Sequence, residues 1–308
     1  WHTPQCSATS KSRPPMGKFA SAEKQAASVV KALSQSRAIV SLGTARNYES
    51  ALTRVAEFAK TERLSLRDLT PEKIQQYLEI RSELVGQKTL DMERQAAQCM
   101  MQHLTGKLAE NERLTVVKSE HEQILSCRSY TAEQVSLIAG CQRDKAALST
   151  EIAHAAGLRA HELLTLRRGE ERGPSDRPAR DEKFQGRAGE IYTVKGKGGL
   201  VREVMLPTAL AERLEARRLD EPVRVTDRGI HYGQHYDISG GQRWSSSFTQ
   251  AANRALGWSE GAHGVRHSYA QERMHELQSG GMTRDDALET VSQEMGHFRP
   301  EITEVYLR

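Results

Sequence analysis

Residues 155–166, with the sequence AAGLRAHELLTL, set two charged side chains into a mostly apolar stretch. The composition predicts a helix that continues from the preceding residues. On such a helix, Arg159 and Glu162 would lie three positions apart on one face, a common surface arrangement worth roughly 0.2–0.5 kcal/mol. Taken alone, the stretch therefore indicates an ion pair and nothing more.

A second stretch, VKGKGG at residues 194–199, lies within EIYTVKGKGGLVREVML and interrupts a two-residue period. Alternating apolar and polar residues predict two short strands, and the glycines predict the turn between them. Lys197 would lie at the tip of this hairpin, with Lys195 just before it. A lysine in a glycine turn is usually solvated, so the pattern by itself assigns neither residue a role.

A third stretch, HGVRH at residues 263–267, places two histidines four positions apart. That spacing on a helix can hold zinc, but Gly264 stands where the zinc motif HExxH carries its glutamate. We therefore expect no metal site here, and we expect His267 to pack or hydrogen-bond as a structural residue. His263 and Arg266 stay available for another role.

The final stretch, MGHFRPEITEVYLR at residues 295–308, places Tyr306 nine positions after His297. Pro300 predicts the start of a short helix, because proline is favoured at the first helical position. Ile302 and Tyr306 would share one face of that helix, and we expect Ile302 to pack inward. A tyrosine placed in this way is either a packed aromatic or a reagent.

In this order, the four stretches resemble the motifs of the tyrosine recombinases, the integrase family whose catalytic fold is shared with type IB topoisomerases. The resemblance runs from about Tyr130 to the end of the chain, and the occurrence of all four matching stretches in the family's order makes it specific. The residues that match the family's functional positions are Arg159, Glu162, Lys197, His263, Arg266, His297 and Tyr306.

The resemblance implies a clamp for a phosphodiester. Negative charge grows on the nonbridging oxygens as a nucleophile adds, and planar guanidinium groups are suited to bind that charge. Arg159 and Arg266 would form the clamp, and His297 would hydrogen-bond a nonbridging oxygen. Glu162 would orient Arg159 without taking part in the chemistry.

The same resemblance implies that Tyr306 is the nucleophile. A tyrosine hydroxyl has an ordinary pKa of about 10, so it needs a base or a positive field to attack phosphorus. His263 would act as the base, and Lys197 would protonate the departing 5′ oxygen, with Lys195 as the alternative. The 3′-phosphotyrosyl ester retains the bond energy, so the scheme uses no metal, no ATP and no other cofactor.

The front of the chain reads as a set of amphipathic helices. Apolar residues at three-and-four spacing predict two helices between Ser21 and Arg63, with a break at Gly43. The sequence TP predicts the start of another, with Thr70 as its cap. Gly106 would end the last helix of the set.

These patterns predict the domain organisation. Residues 21–106 would form an all-helical domain, residues 107–128 a linker and residues 129–308 the catalytic domain, after a flexible segment at residues 1–20. The predicted fold class is mainly α with a small antiparallel β-sheet. The resemblance implies that a helical core-binding domain precedes an α/β tyrosine-recombinase catalytic domain.

Two further stretches carry little motif information. Residues 168–190 are dense in glycine, proline and charge. This composition predicts a solvated loop between the stretch that contains Arg159 and the hairpin. The segment from Pro207 onward is predicted to be helical with loops.

Composition sets the remaining limits. A length of 308 residues and a net charge of +4 favour two domains and permit a nucleic-acid partner. No apolar run approaches the ~18 residues of a membrane span. The four cysteines lack CxxC spacing, which fits reduced thiols in a cytosolic protein. The resemblance implies the bacterial cytoplasm, at the nucleoid. Trp1 in place of methionine leads us to expect a trimmed or partial chain. The short stretch after Tyr306 predicts either a truncated chain or contacts between protomers that are made differently.

The resemblance thus predicts a site-specific recombinase or integrase that clamps double-stranded DNA, cleaves it through a covalent 3′-phosphotyrosine and serves a mobile genetic element. Recombination of two duplexes takes four active sites, which predicts a homotetramer on DNA. The alternatives are a type IB-like DNA-relaxing enzyme and a non-catalytic DNA-binding accessory protein on the same fold. The filled set of reactive positions argues against the accessory protein.

Overall fold

A computed structural model describes residues 19–121 and 126–308. Residues 1–18 of the predicted flexible segment and residues 122–125 of the predicted linker lie outside the described residues. Contacts within the chain divide it into one unit of residues 1–124 and a second unit of residues 125–308. Each unit has an apolar core of its own.

The described part of the first unit is helical. Its α-helices are α1 (Ala22–Gln35), α2 (Leu42–Thr61), α3 (Pro71–Ser82) and α4 (Gln87–Met100). The predicted break at Gly43 is wrong. Ser41 caps α2, and Gly43 lies inside the first turn of that helix. The predicted start of α3 is confirmed, because the Thr70 side chain accepts a hydrogen bond from the first turn.

The end of α4 is also as predicted. The helix continues into a π turn at Met101–Thr105, and Gly106 follows with a φ of 63°. Glycine suits this position because the left-handed region costs it little.

The second unit mixes helices with two antiparallel sheets. Its elements are α5 (Ala132–Gly140), α6 (Asp144–Ala155), β1 (Arg167–Arg168), β2 (Glu190–Lys195), β3 (Val201–Leu206), α7 (Thr208–Glu215), β4 (Arg218–Asp227), β5 (Ile230–Tyr236), α8 (Gly241–Leu256), α9 (Gly264–Ser279), α10 (Arg284–Glu294) and α11 (Pro300–Glu304). The predicted helix start at Pro300 is confirmed. Among the described residues, no helix is both long and apolar enough to cross a membrane.

The hairpin predicted around residues 196–199 is confirmed. Strands β2 and β3 pair antiparallel from Glu190 opposite Leu206 to Lys195 opposite Val201. Strand β1 joins the other edge of β2 and completes a three-stranded sheet.

The prediction of helix and loops after Pro207 is wrong for residues 218–236, which form the hairpin of β4 and β5. Its turn is Arg228-Gly229, with φ values of 48° and 74°. Two consecutive positive φ values are what a type I′ hairpin turn requires. The alternation in VRVTD and IHYGQHY favours strands over helix, and it outweighs the helical surroundings.

The prediction of a continuous helix through residues 155–166 is also wrong. Helix α6 ends at Ala155, and a 3₁₀ turn covers only Glu162–Thr165. Gly157 has a φ of 58°, and a Cβ there would lie 2.7 Å from the ring of Tyr269. The glycine therefore turns the chain and lets it pass close to α9, which lifts Arg159 out of the helix.

Residues 169–189 form the largely exposed loop that their composition predicts, but several of its charged side chains are paired within the unit. Arg172 donates to the main chain of β2, while Arg180 and Arg187 form ion pairs with acidic side chains on α10 and α9 respectively. Phe184 is buried. The charges of this segment are thus used inside the unit, which a composition argument cannot detect.

Candidate active site

Glu162 is the buried centre of a cluster of arginines. Its side chain is 0% exposed, whereas that of Arg159 is 24% exposed. Arg159 donates its backbone N–H to Oε2 and its Nη1 to Oε1 of Glu162, both at 2.8 Å. Because the carboxylate is out of water, this contact is more than the surface pair that the spacing alone indicates.

Two further arginines approach the same carboxylate. Arg202, on β3, donates from Nη2 to Oε2 at 2.8 Å, and Nη1 of Arg266 lies 3.9 Å from that oxygen. Burial alone would raise the pKa of Glu162, but Arg202, Arg266 and Arg159 together hold it well below its usual range. Three guanidinium groups around one carboxylate leave the site with a net positive charge that suits an anion.

Arg266 is held in the first turn of α9 and is 0% exposed. Its Nη1 donates to Gly157 O, and its Nη2 donates to Met295 O at 3.2 Å and to His297 Nε2 at 3.0 Å. Burial and then the charge of Arg159 lower its pKa to about 10, so the side chain is still charged at pH 7. Acceptors from two distant segments therefore fix the plane of this guanidinium.

The contacts of His297 define its tautomer. Since a guanidinium can only donate, Nε2 accepts from Arg266, and a neutral ring then carries its proton on Nδ1. That nitrogen lies 2.9 Å from Thr303 Oγ1, which can accept it. Burial, followed by the charges of Arg266 and Arg159, lowers the pKa of His297 to about 3. The predicted donation to a phosphate oxygen would require the contact with Arg266 to open.

Tyr306 lies in the middle of these side chains. Its hydroxyl is 3.1 Å from His263 Nε2. Its ring centroid is 5.0 Å from that of His297 and 4.7 Å from that of His267, and Cζ of Arg266 is 5.5 Å from the tyrosine ring. Of the residues predicted from the sequence, the structure thus brings together Tyr306, His263, His297 and Arg266.

His263 can accept a proton at neutral pH. Desolvation of the ring, followed by the charges of Arg266 and His267, lowers its pKa to about 4. The residue as a whole is exposed, which argues for a pKa nearer the ordinary value of about 6.5. At either value the ring is mainly neutral at pH 7, as a base toward the Tyr306 hydroxyl must be.

The prediction that Ile302 packs inward is wrong. Ile302 is 39% exposed, while Thr303 is 0% exposed and bonds to His297. Helix α11 ends before Tyr306, so a shared helical face does not extend that far. The part-buried ring N–H of His297 needs an acceptor, which a threonine hydroxyl supplies and an isoleucine does not.

The two candidate lysines lie at the hairpin tip. Lys195 and Lys197 are exposed, and neither side chain makes a hydrogen bond or ion pair with a residue that the structure describes, although the Lys195 backbone N–H donates to Thr165 Oγ1. A Cβ on Gly196, between them, would lie 3.2 Å from Glu162 Oε1 and 3.8 Å from Arg159 Nη1. The tip therefore lies directly against the arginine cluster, and the choice of Lys197 stays a prediction.

Arg202 and Thr303 are absent from the sequence-predicted set. Arg202 shares the buried face of β3 with Val204 and Leu206. An arginine in phase with two apolar strand residues was therefore the available signal. Thr303 gives no comparable signal, because its role depends on the orientation of one histidine ring.

Acid should destabilise the second unit before its carboxylates titrate. Burial lowers the pKa of His267 to about 4 and that of His297 to about 3, whereas an unfolded histidine has a pKa of about 6.5. The unfolded state binds more protons between these values, so stability rises with pH and is lost as pH falls below 6.5. We expect a loss on the order of 2 kcal/mol between pH 7 and pH 5.

Urea unfolding followed by tryptophan fluorescence measures this loss, since Trp244 and Trp258 lie in the second unit. A His267→Gln variant should show a smaller change between the two pH values. An equal change in the variant would contradict the assignment to His267.

No family model and no curated protein sequence matches the chain. Solved structures do resemble it. The XerH site-specific recombinase bound to difH substrate is 19% identical, with a TM-score of 0.53 over 86% of this chain and 75% of the other. The Tn1549 transposon integrase in complex with transposon right end DNA is 14% identical, with a TM-score of 0.55 over 92% and 94%. A lambda integrase tetramer bound to a Holliday junction is 16% identical, with a TM-score of 0.56 over 92% and 76%.

At identities this low, the structural similarity shows a shared fold and no more. The chain has the tyrosine recombinase fold, and the predicted fold class, mainly α with small antiparallel sheets, is confirmed.

Proposed function

We propose that the protein is a site-specific DNA recombinase that cleaves and rejoins strands through a covalent 3′-phosphotyrosine on Tyr306. The observation that carries this proposal is the 3.1 Å contact between the Tyr306 hydroxyl and His263 Nε2, beside a buried arginine. A nucleophile within hydrogen-bond reach of a neutral base, next to a fixed cationic group, is the arrangement that activates a hydroxyl.

Charge stabilisation supports the same reaction. Arg159 is partly exposed and can reach a bound phosphate, while Arg266 is held rigidly behind it. Glu162 removes only one of the three positive charges around it, so two remain for the phosphate. Donors that are fixed before the reaction lose little in reorganising, and removing one such donor typically costs about 10² to 10³ in rate.

Proton transfer follows from the neutral state of His263. It accepts the Tyr306 proton as the oxygen attacks phosphorus, and the 5′ oxygen leaves with a proton from a lysine of the hairpin tip. Bond energy stays in the phosphotyrosyl ester, so attack by a new 5′ hydroxyl reverses the step without ATP. We propose that no metal or other cofactor takes part, and that cleavage therefore continues in EDTA.

The lysine assignment has its own test. Lys197→Ala should slow cleavage by about 10² to 10⁴ on a normal phosphodiester, because the leaving oxygen lacks its acid. A 5′-bridging phosphorothiolate substrate should restore the rate, since a thiolate leaves without a proton. The matched variant is Lys195→Ala, at the same tip. If that variant shows the defect and the rescue while Lys197→Ala shows neither, Lys195 is the acid.

The proposed substrate is double-stranded DNA. Solved proteins of this fold include recombinases bound to DNA and a tetramer bound to a Holliday junction. We propose the same partner here, with residues 21–106 as the core-binding domain, residues 107–128 as the linker and residues 129–308 as the catalytic domain. Exchange between two duplexes uses four active sites, which supports a homotetramer on DNA. Such an enzyme would act at the bacterial nucleoid and serve a mobile genetic element.

A nicked suicide duplex separates the candidate functions. When the nick lies just beyond the scissile phosphate, the released fragment diffuses away, and the enzyme remains attached to DNA on a denaturing gel. A binding module on this fold would trap no adduct. Relaxation of a supercoiled plasmid without exchange between two duplexes would favour the type IB-like alternative.

A further inference from the structure

Arg202 lies beside the proposed active site but has no part in the proposed chemistry. It lies on β3 of the hairpin, points inward with Val204 and Leu206, and is 3% exposed. A buried arginine needs acceptors for its N–H groups and a partner for its charge. Where those acceptors come from indicates what the residue holds together.

The three acceptors of Arg202 come from two separate segments. Nη2 donates to Glu162 Oε2 at 2.8 Å and to Gly157 O at 3.3 Å, and Nη1 donates to Glu294 O at 2.6 Å. Gly157 and Glu162 flank Arg159, and Glu294 is the last residue of α10. One guanidinium therefore connects the β2–β3 hairpin to the turn that carries Arg159 and to the segment that leads to His297.

The glycine of the MGH sequence makes room for this side chain. Gly296 has a φ of 71°, and a Cβ there would lie 2.6 Å from Cδ of Arg202. The chain thus passes the arginine stem at a distance that only glycine allows, in a conformation that glycine favours. A larger residue at position 296 would therefore clash with the Arg202 side chain.

We propose that Arg202 is a positioning residue that fixes the Glu162 carboxylate and, through it, the planes of Arg159 and Arg266. This inference rests on the proposed function of the site. Oε2 of Glu162 accepts from Arg202 and from the backbone N–H of Arg159, while Oε1 accepts from the Arg159 side chain.

Loss of Arg202 has a specific consequence in this geometry. Without Arg202, Oε2 would keep the backbone N–H of Arg159 as a donor, and Nη1 of Arg266 lies 3.9 Å away. An under-paired carboxylate would draw that guanidinium toward itself and away from Met295 O and His297. Displacements of about 1 Å in such a site can cost on the order of 10²-fold in rate.

The test compares Arg202→Met and Arg202→Lys with Arg172→Met. Arg172 also braces the hairpin, by donating to Thr193 O and Thr165 O, but it makes no contact with Glu162. We expect both Arg202 variants to lower the first-order rate of adduct formation at saturating DNA by about 10²-fold, with the Kd for DNA within about twofold of wild type. Lysine should not rescue, because it keeps the charge and loses the planar fork. Arg172→Met should stay within about threefold of wild type.

A double-mutant cycle identifies the route. If Arg202 acts through Glu162, Arg202→Lys combined with Glu162→Gln should be no slower than the slower single variant. Multiplied effects, or a wild-type rate in Arg202→Lys, would overturn the proposal. If Arg202→Met fails to fold, as a thermal melt would reveal, the lysine variant completes the cycle.

Inorganic phosphate provides a readout that does not depend on cleavage. Glu162→Gln removes a negative charge, which by Coulomb attraction alone would strengthen phosphate binding, whereas loss of positioning weakens it. We expect both Glu162→Gln and Arg202→Lys to weaken binding by about tenfold in calorimetry. Stronger binding by Glu162→Gln, with unchanged binding by Arg202→Lys, would overturn the positioning role. Absence of adduct in the wild type would instead reject the proposed function.

Discussion

Tyr306→Phe should abolish covalent trapping of DNA and leave DNA binding unchanged. The phenylalanine ring keeps the packing against His297 and His267, so only the hydroxyl and its 3.1 Å contact with His263 Nε2 are lost. Removal of a nucleophile typically lowers the rate by about 10⁴ or more. The free energy of unfolding should change by only about 1 kcal/mol, the net value of one hydrogen bond.

The measurement is adduct formation on a nicked suicide duplex, together with the Kd for the intact duplex. Tyr269→Phe is the matched control, because that hydroxyl also lies in the second unit but bonds to Glu294. The control should form adduct at a rate near that of wild type. Adduct from Tyr306→Phe would remove Tyr306 from the scheme.

Arg266→Lys should lower the first-order cleavage rate by about 10² to 10³, because a point charge replaces a planar donor fixed by three acceptors. DNA affinity should change by less than about threefold, since contacts elsewhere supply most of it. A methylphosphonate at the scissile position, which carries one charged oxygen fewer, should recover part of the lost rate.

Arg273→Lys provides the comparison for this variant. Arg273 is a buried arginine of the same helix, α9, and it pairs with Glu294 and Glu276. Its substitution should lower the melting temperature without a specific loss of chemistry. A cleavage rate for Arg266→Lys within tenfold of wild type, in a folded protein, would contradict the clamp assignment.

The motif residues could be found from sequence because they are reactive types at fixed spacings. Their order along the chain pointed to the fold, and the strand period located the β2–β3 hairpin. What sequence could not provide were orientations that depend on packing. Thr303 rather than Ile302 turns inward because a histidine N–H needs an acceptor. A role for Arg202 becomes visible only when the fold brings its three acceptors together.

Local backbone chemistry explains two of the errors. Gly157 ends α6 early because it takes a left-handed conformation against Tyr269, and a helical pattern in the flanking residues hides that turn. The Arg228-Gly229 turn was overlooked because its hairpin lies among helices. In both places a glycine dihedral, rather than the hydrophobic period, decides the structure.

Helix α11 has a consequence for the timing of catalysis. Five residues are far fewer than the ~12–15 that an isolated helix needs, so this segment is ordered only while it is docked. Its anchors include Thr303 on His297 and the Gln271 amide, which donates to Tyr306 O at 3.2 Å. Such a segment opens at a lower free energy than the core, and its amides should exchange with solvent faster than those of α9. If the proposed function holds, the cleavage rate would be the intrinsic rate multiplied by the docked fraction, so loss of the Gln271 contact should slow cleavage by lowering that fraction.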